Sequence, residues 1–273
     1  MWARAHEPKY LYGKSLNPNI SDAIRYNNHL NKLIEIMTDS VEKELKKFFK
    51  TDTAQEYYAM DDTISSQARI LTNALIKKFD DMFTTLSKPL AEDMVNDANK
   101  SSGIATRSSF KQLSGGLSIK TTSLSPETID ILNASITENV ALIKSISSKY
   151  LNGVQQAVMR SITMGGGLRD LIPYLQKSKE ITYRRARVIA YDQTRKAFNS
   201  ISVGRMNKLG VKKFKWLHSG GSNAPRKLHI KLSGQIFSLD DLPVIDDNTG
   251  ERGIPGQLIN CRCRMLPIIS FKE

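Results

Sequence analysis

From Ser21 onward the apolar residues recur in steps of three and four. Leu30, Leu33, Met37, Val41, Leu45 and Phe48 make one stripe, which predicts an amphipathic helix. A second stripe follows Asp61 through Ile64, Ala68, Leu71, Leu75, Met82 and Leu86, and Pro89 is expected to kink or end it. Together they predict a helical hairpin over residues 21–100. Residues 1–20 carry Pro8, Gly13 and Pro18 with no period, and read as an N-terminal arm that orders against a partner. Residues 101–125, rich in Ser, Thr and Gly, read as a linker and domain boundary.

Ser125-Pro126-Glu127 combines a cap residue, a proline at the first helical position and an acid in the first turn, so a helix is expected from there. Its stripe runs from Leu132 through Ile143, Tyr150 and Val158 to Ile162 and stops at Gly165-Gly166-Gly167. A short helix in "LRDLIPYLQK" and a long one ending near Gly210 follow. The period then falls to two. In "VKKFKWL", Lys213 and Lys215 face one way and Phe214 and Trp216 the other, the pattern of a strand with Trp216 as a core anchor. "PRKLHIKLSG" reads as a short helix, "QIFSL" as a strand and "CRCRMLPII" as the closing strand. The expected fold is mainly α with a small C-terminal α+β unit. A long-helix bundle or hairpin precedes a module over 126–273, with basic helices over 126–210 and the α+β unit over 211–273.

Charge adds a direction to this picture. The chain has 40 Lys+Arg against 27 Asp+Glu, a formal net charge of +13. Residues 141–215 hold 16 of the basic residues and 3 of the acids, so the rest of the chain is balanced. A localised excess points to a polyanionic partner, most often nucleic acid; a solvated basic face is the alternative. Arg184, Arg185, Arg187, Arg195, Lys196, Lys212, Lys213 and Lys215 are the candidate phosphate contacts. They are poorly interleaved with aromatics, and no helix-turn-helix or finger pattern is present, so phosphate contact without base readout is expected. No apolar run reaches the roughly eighteen residues of a membrane span, and the start lacks the apolar core of a secretory signal.

Both cysteines lie in Cys261-Arg262-Cys263, which on a strand puts the two thiols on one face. A disulfide between them would be strained, and reduced thiols are expected. With His229 they offer three zinc-type ligands, and His218 or an acid from 240–247 could complete the set. Two other readings stay open: small buried hydrophobes in a packed strand, and a Cys–His nucleophile using Cys261, His229 and Asn260. The triple glycine lacks the Gly-Lys-Ser/Thr ending of a phosphate loop and reads as a break between helices.

Four segments then form an ordered set: "RARVIAYDQTRKAFN", "FKWLHSGGSNAPRKLH", "SGQIF" and "GIPGQLINCRC". Residues 125–270 thereby resemble the phage Mu protein F-like family of phage head morphogenesis, or minor head, proteins. The resemblance implies a non-enzymatic virion component inside the head near the portal, assembled in the host cytoplasm. Its implied partners are the portal protein, packaged double-stranded DNA and the major capsid or scaffolding protein, with roles in DNA packaging, retention or ejection. Many members carry Cys-x-x-Cys after the Trp strand and His-Pro before the second cysteine pair. Here Arg226 and His229 replace the first pair, and Leu258-Ile259 stands where the His-Pro would be. Only His229, Cys261 and Cys263 carry over as metal ligands. The competing readings are an injected enzyme or toxin-like effector with a Cys/His site, and a scaffolding-like assembly factor that leaves the head before maturation.

Overall fold

The computed structural model describes residues 9–50, 63–116, 124–165, 167–220 and 224–271. Its helices are α1 (Ile20–Lys50), α2 (Ile64–Leu113), α3 (Pro126–Met164), α4 (Gly167–Lys208) and α5 (Lys227–Leu232). Its strands are β1 (Lys9–Tyr12), β2 (Lys213–Leu217), β3 (Ile236–Ser238) and β4 (Arg264–Phe271). They form one antiparallel sheet in the order β1-β4-β2-β3. A mainly α chain with a small C-terminal α+β unit is therefore what the sequence folds into.

Two compact units divide the chain. One comprises Ile24–Glu92 and Ile136–Ala190; the other comprises Met1–Ala23, Asp93–Ser135 and Tyr191–Glu273. Each of the four long helices thus contributes residues to both. In the first unit the α1 stripe Leu30, Ile34, Met37, Val41 and Leu45 is fully buried, apart from no more than traces of surface. From α2 it is Ala68, Thr72, Leu75, Phe79 and Phe83 that turn inward. Thr72 is admitted because its hydroxyl donates to the Ala68 carbonyl at 2.9 Å, so no polar atom is stranded. Tyr26 does the same across elements, donating to Asn139 Oδ1 at 3.2 Å.

Several boundaries differ from expectation. α2 runs through Pro89, which removes one helical hydrogen bond, because buried Phe83 and Ser87 before it and Ala91, Met94 and Val95 after it hold both sides. α2 also runs on to Leu113, so 101–113 is helix, not linker. Its small polar residues are there for close packing. Ser102, Thr106 and Ser109 are fully buried, Ser102 Oγ lies 2.9 Å from Ser202 Oγ, and a Cβ on Gly103 would meet the Arg205 guanidinium at 3.3 Å. The chain turns at Gly165, but α4 then continues without a second break, carrying Pro173 inside it with Leu171 and Leu175 buried on either side.

The N-terminal arm orders on its own chain. Residues 9–12 pair with β4, the Gly13 N–H donates to the Pro267 carbonyl at 2.9 Å and the Leu16 N–H to the Met265 carbonyl at 2.8 Å. Leu16 is fully buried, and Gly13 lies so close to Ser109 that any side chain there would collide with it. In β2 the predicted alternation holds: Phe214 and Trp216 are buried, and Lys213 and Lys215, which alternate with them, are not. The cysteines, however, precede the closing strand, which starts at Arg264.

Candidate functional site

Asp192, Arg195 and Asn199 sit at i, i+3 and i+7 on α4, one face of the helix. That face is polar and turned toward the segment 255–263. The Asp192 carboxylate accepts the Asn260 backbone N–H through both oxygens, at 2.9 and 3.0 Å. Arg195 Nη1 donates to the Cys261 carbonyl at 3.0 Å, and Asn199 Nδ2 to the Pro255 carbonyl at 2.9 Å. From the entrance to α5, Arg226 Nη2 donates to the Ile259 carbonyl at 3.0 Å. Four side chains, three on α4 and one at the residue preceding α5, therefore hold four backbone groups of one loop.

Two backbone conformations let the loop lie there. Gly256 has φ +83 and approaches α4 so closely that a Cβ would run into the Asn199 carboxamide and stand 3.1 Å from Arg195. Asn260 has φ 60, a conformation that asparagine tolerates better than most residues. The loop so shaped points Cys261 and Cys263 inward, each 3% exposed.

Both thiols meet His229 of α5. Its Nδ1 lies 3.4 Å from Cys261 Sγ and 3.7 Å from Cys263 Sγ, while its Nε2 stands 3.0 Å from the Ile245 carbonyl. A carbonyl only accepts, so Nε2 carries a proton and Nδ1 is the atom presented to sulfur. The ligand atoms of His229, Cys261 and Cys263 all fall within 4.8 Å of one another. His218, one residue past β2, brings its Nδ1 to 3.6 Å from Cys263 Sγ. Trp216, fully buried, packs edge-on against the His229 ring at 5.2 Å, and its indole N–H has no acceptor in ordinary geometry. A cavity of about 750 Å³ opens beside the cluster, lined in part by His218, Arg226, Asn260 and Arg262.

The electrostatics favour one negative charge among the sulfurs. Hydrogen bonding from Cys263 holds the Cys261 thiol well below the usual range, with His229 and the Gly256 N–H (3.3 Å) adding to it. The same bond, with burial, pushes Cys263 up. Burial pulls His229 down, but its bond to Cys261 and the charge there outweigh this and raise it. Burial raises Asp192 against the opposing pull of Asn260 and Arg195.

This geometry differs from a Cys–His–Asn hydrolase in one respect. The group orienting His229 is the Ile245 carbonyl, and the Asn260 backbone serves the loop turn. The candidate phosphate contacts fall in both compact units. Arg184, Arg185 and Arg187 belong to one compact unit; Arg195, Lys196, Lys212, Lys213 and Lys215 belong to the other. Arg184, Arg187 and Lys212 are exposed, Lys212 standing 3.4 Å from Asp240. Arg185 donates to Ser145 Oγ at 2.7 Å, Lys196 is half-buried, and Arg195 is committed to the loop. Lys213 and Lys215 lie over the rings of Tyr10 and Tyr12, at 5.9 and 5.6 Å. This aromatic company is invisible in the local sequence, because the tyrosines arrive from the other end of the chain on β1.

Residues 152–266 match the family model described as "Phage Mu protein F like protein". The chain is 30% identical over 254 residues to an uncharacterized protein of Haemophilus influenzae, covering 91% of this chain and 53% of that protein. It is 27% identical over 128 residues to the uncharacterized protein YqbB of Bacillus subtilis, covering 44% of this chain and 42% of that protein. The chain thus spans about half the length of the curated relatives it matches. No solved structure matches it. Among the described residues, no helix is long and apolar enough to cross a membrane.

Proposed function

We propose that this chain, whose residues 152–266 form a Mu F-like domain, is a minor head protein of a tailed phage. The family match carries the reading, since the family is one of phage head morphogenesis. The finer assignment is a non-enzymatic component inside the head, beside the portal, that touches packaged duplex DNA through phosphates. Its support is the charge: the +13 of the chain is concentrated in 141–215, most of which lies within the matched domain. Arg184, Arg187 and Lys212 present that charge at the surface, and Lys213 and Lys215 present it on the outer face of the sheet.

The portal protein is the proposed vertex partner, with the major capsid or scaffolding protein as the shell partner. Quantitative mass spectrometry of purified procapsids and mature heads tests the assignment. A minor head protein is retained at the same low copy number in both. A count that falls to zero on maturation makes the chain a scaffolding-like factor instead. Retention in the head but release with the genome on triggered ejection in vitro would support the injected-effector reading over the structural one.

A further inference from the structure

The Cys-Arg-Cys loop, α5 and the end of β2 meet in a way that the head-protein reading does not use. We infer that they form a structural zinc site whose four ligands are His218 Nδ1, His229 Nδ1, Cys261 Sγ and Cys263 Sγ. The inference stands whether or not the protein touches DNA.

Distances carry it. Zinc binds thiolate at about 2.3 Å and imidazole at about 2.0–2.1 Å in a tetrahedron, which separates a sulfur from a nitrogen ligand by about 3.6 Å. Three of the four sulfur–nitrogen pairs of such a set stand at 3.4, 3.6 and 3.7 Å here. A single S–H···N hydrogen bond also spans that distance, but here both sulfurs stand at it from His229 Nδ1, which has one lone pair to offer. His229 is also set as a ligand before any metal arrives. Its Nε2 proton is held by the Ile245 carbonyl, the outer-shell bond that fixes the tautomer of metal-binding histidines. The Gly256 N–H directed at Cys261 Sγ, and the buried indole N–H of Trp216 near Cys263, are donors that suit thiolates.

His218 closes the set. Its backbone N–H is fixed by Ser233 Oγ at 3.1 Å, and its imidazole already meets Cys263 while standing at the rim of the cavity. The ligand atoms already within 4.8 Å of one another are those of His229, Cys261 and Cys263, so His218 joins the tetrahedron by a turn of its ring toward Cys261 and His229. Such a site would pin together three segments: the β2 end, α5 and the loop. It differs from a Cys-x-x-Cys plus Cys-x-Cys arrangement, because one ligand comes from the strand end in place of the missing cysteine.

The test uses the full chain, freed of any histidine tag and incubated with zinc sulfate before desalting. One zinc per chain is expected by inductively coupled plasma mass spectrometry, with both thiols protected from alkylation until a chelator is added. Cobalt in place of zinc should give the intense visible bands of a tetrahedral thiolate site. His218→Ala should weaken zinc at least about a hundredfold in chelator competition, more than an outer-shell partner is worth. It should also dim the cobalt bands, while His29→Ala, on α1, changes neither. His218→Cys restores a ligand and should keep tight binding, so a poorly folded alanine variant does not decide the matter. Wild-type protein that retains no zinc and has freely alkylated thiols overturns the site. His218→Ala protein with wild-type affinity and spectrum overturns the fourth ligand.

Discussion

Asn260 turns the chain with φ 60 and hands its N–H to Asp192, so its side chain is free of the chemistry its neighbours suggest. If the turn is its task, Asn260→Gly is nearly neutral in urea unfolding. Asn260→Val, β-branched in the left-handed region, should lose on the order of 1–3 kcal/mol. A catalytic carboxamide would predict that both lose function alike. Asp192 allows a second test. Its folded pKa is raised by burial, so the folded state binds the proton more tightly than the unfolded chain. That contribution favours folding below the unfolded carboxylate value of about 4, and is lost as pH rises through the raised folded value. Asp192→Asn keeps an oxygen for the Asn260 N–H but cannot titrate. In metal-free protein the stability of wild type relative to Asp192→Asn should therefore fall as pH rises above about 4, the other carboxylates cancelling. A constant difference there would refute the assignment. These roles were half legible. The i, i+3, i+7 spacing of Asp192, Arg195 and Asn199 is visible in the sequence, but a polar triplet inside a basic segment looks the same whether it faces water or a loop more than fifty residues away.

At the scale of elements, glycine positions separate a turn from a close approach. Gly250 and Gly256 both have positive φ, 69 and 83. A Cβ on Gly250 meets nothing within 4 Å, whereas one on Gly256 runs into Asn199. Gly250→Ala should cost about 1 kcal/mol of backbone strain alone. Gly256→Ala should cost at least about 2 kcal/mol, since steric displacement adds to it and breaks the Asn199 bond to Pro255. Chemical denaturation of the two variants measures the gap, and equal losses would mean that the loop does not seat on α4 as described. The same contrast explains which elements the sequence disclosed. Helices with wide apolar stripes, and the strand with buried Phe214 and Trp216, declare themselves by period. Residues 101–113 do not, because Ser, Thr and Gly serve flexible linkers and tight helix contacts equally, and only the partner helix decides between them. β1 was missed for a related reason: four residues hold too little pattern to reveal pairing with a strand at the far end of the chain.

For the molecule as a whole, net charge says that a polyanion is attracted but not which cations reach it. Binding through phosphates lowers log K linearly with log salt, by about 0.9 for each phosphate neutralised on duplex DNA. The eight candidate residues are not equivalent in this respect. Replacing Arg184 and Arg187 together by alanine, or Lys213 and Lys215 together, should make the slope shallower by about 2 in fluorescence anisotropy with the full chain and duplexes of unrelated sequence. Arg195→Ala should leave the slope unchanged and instead lower the unfolding midpoint, because its guanidinium holds the Cys261 carbonyl. A charge-assisted hydrogen bond of that kind contributes about 1.5–3 kcal/mol. The paired readout matters because either result alone is ambiguous: weaker binding can follow from a loosened fold, and a loosened fold says nothing about DNA. If Arg195→Ala flattens the slope as much as the exposed pairs while stability holds, the loop clamp is wrong and Arg195 belongs to the phosphate surface. If none of the variants moves the slope, the localised charge is a solvated face, and the head-protein assignment must stand on the family match without DNA contact.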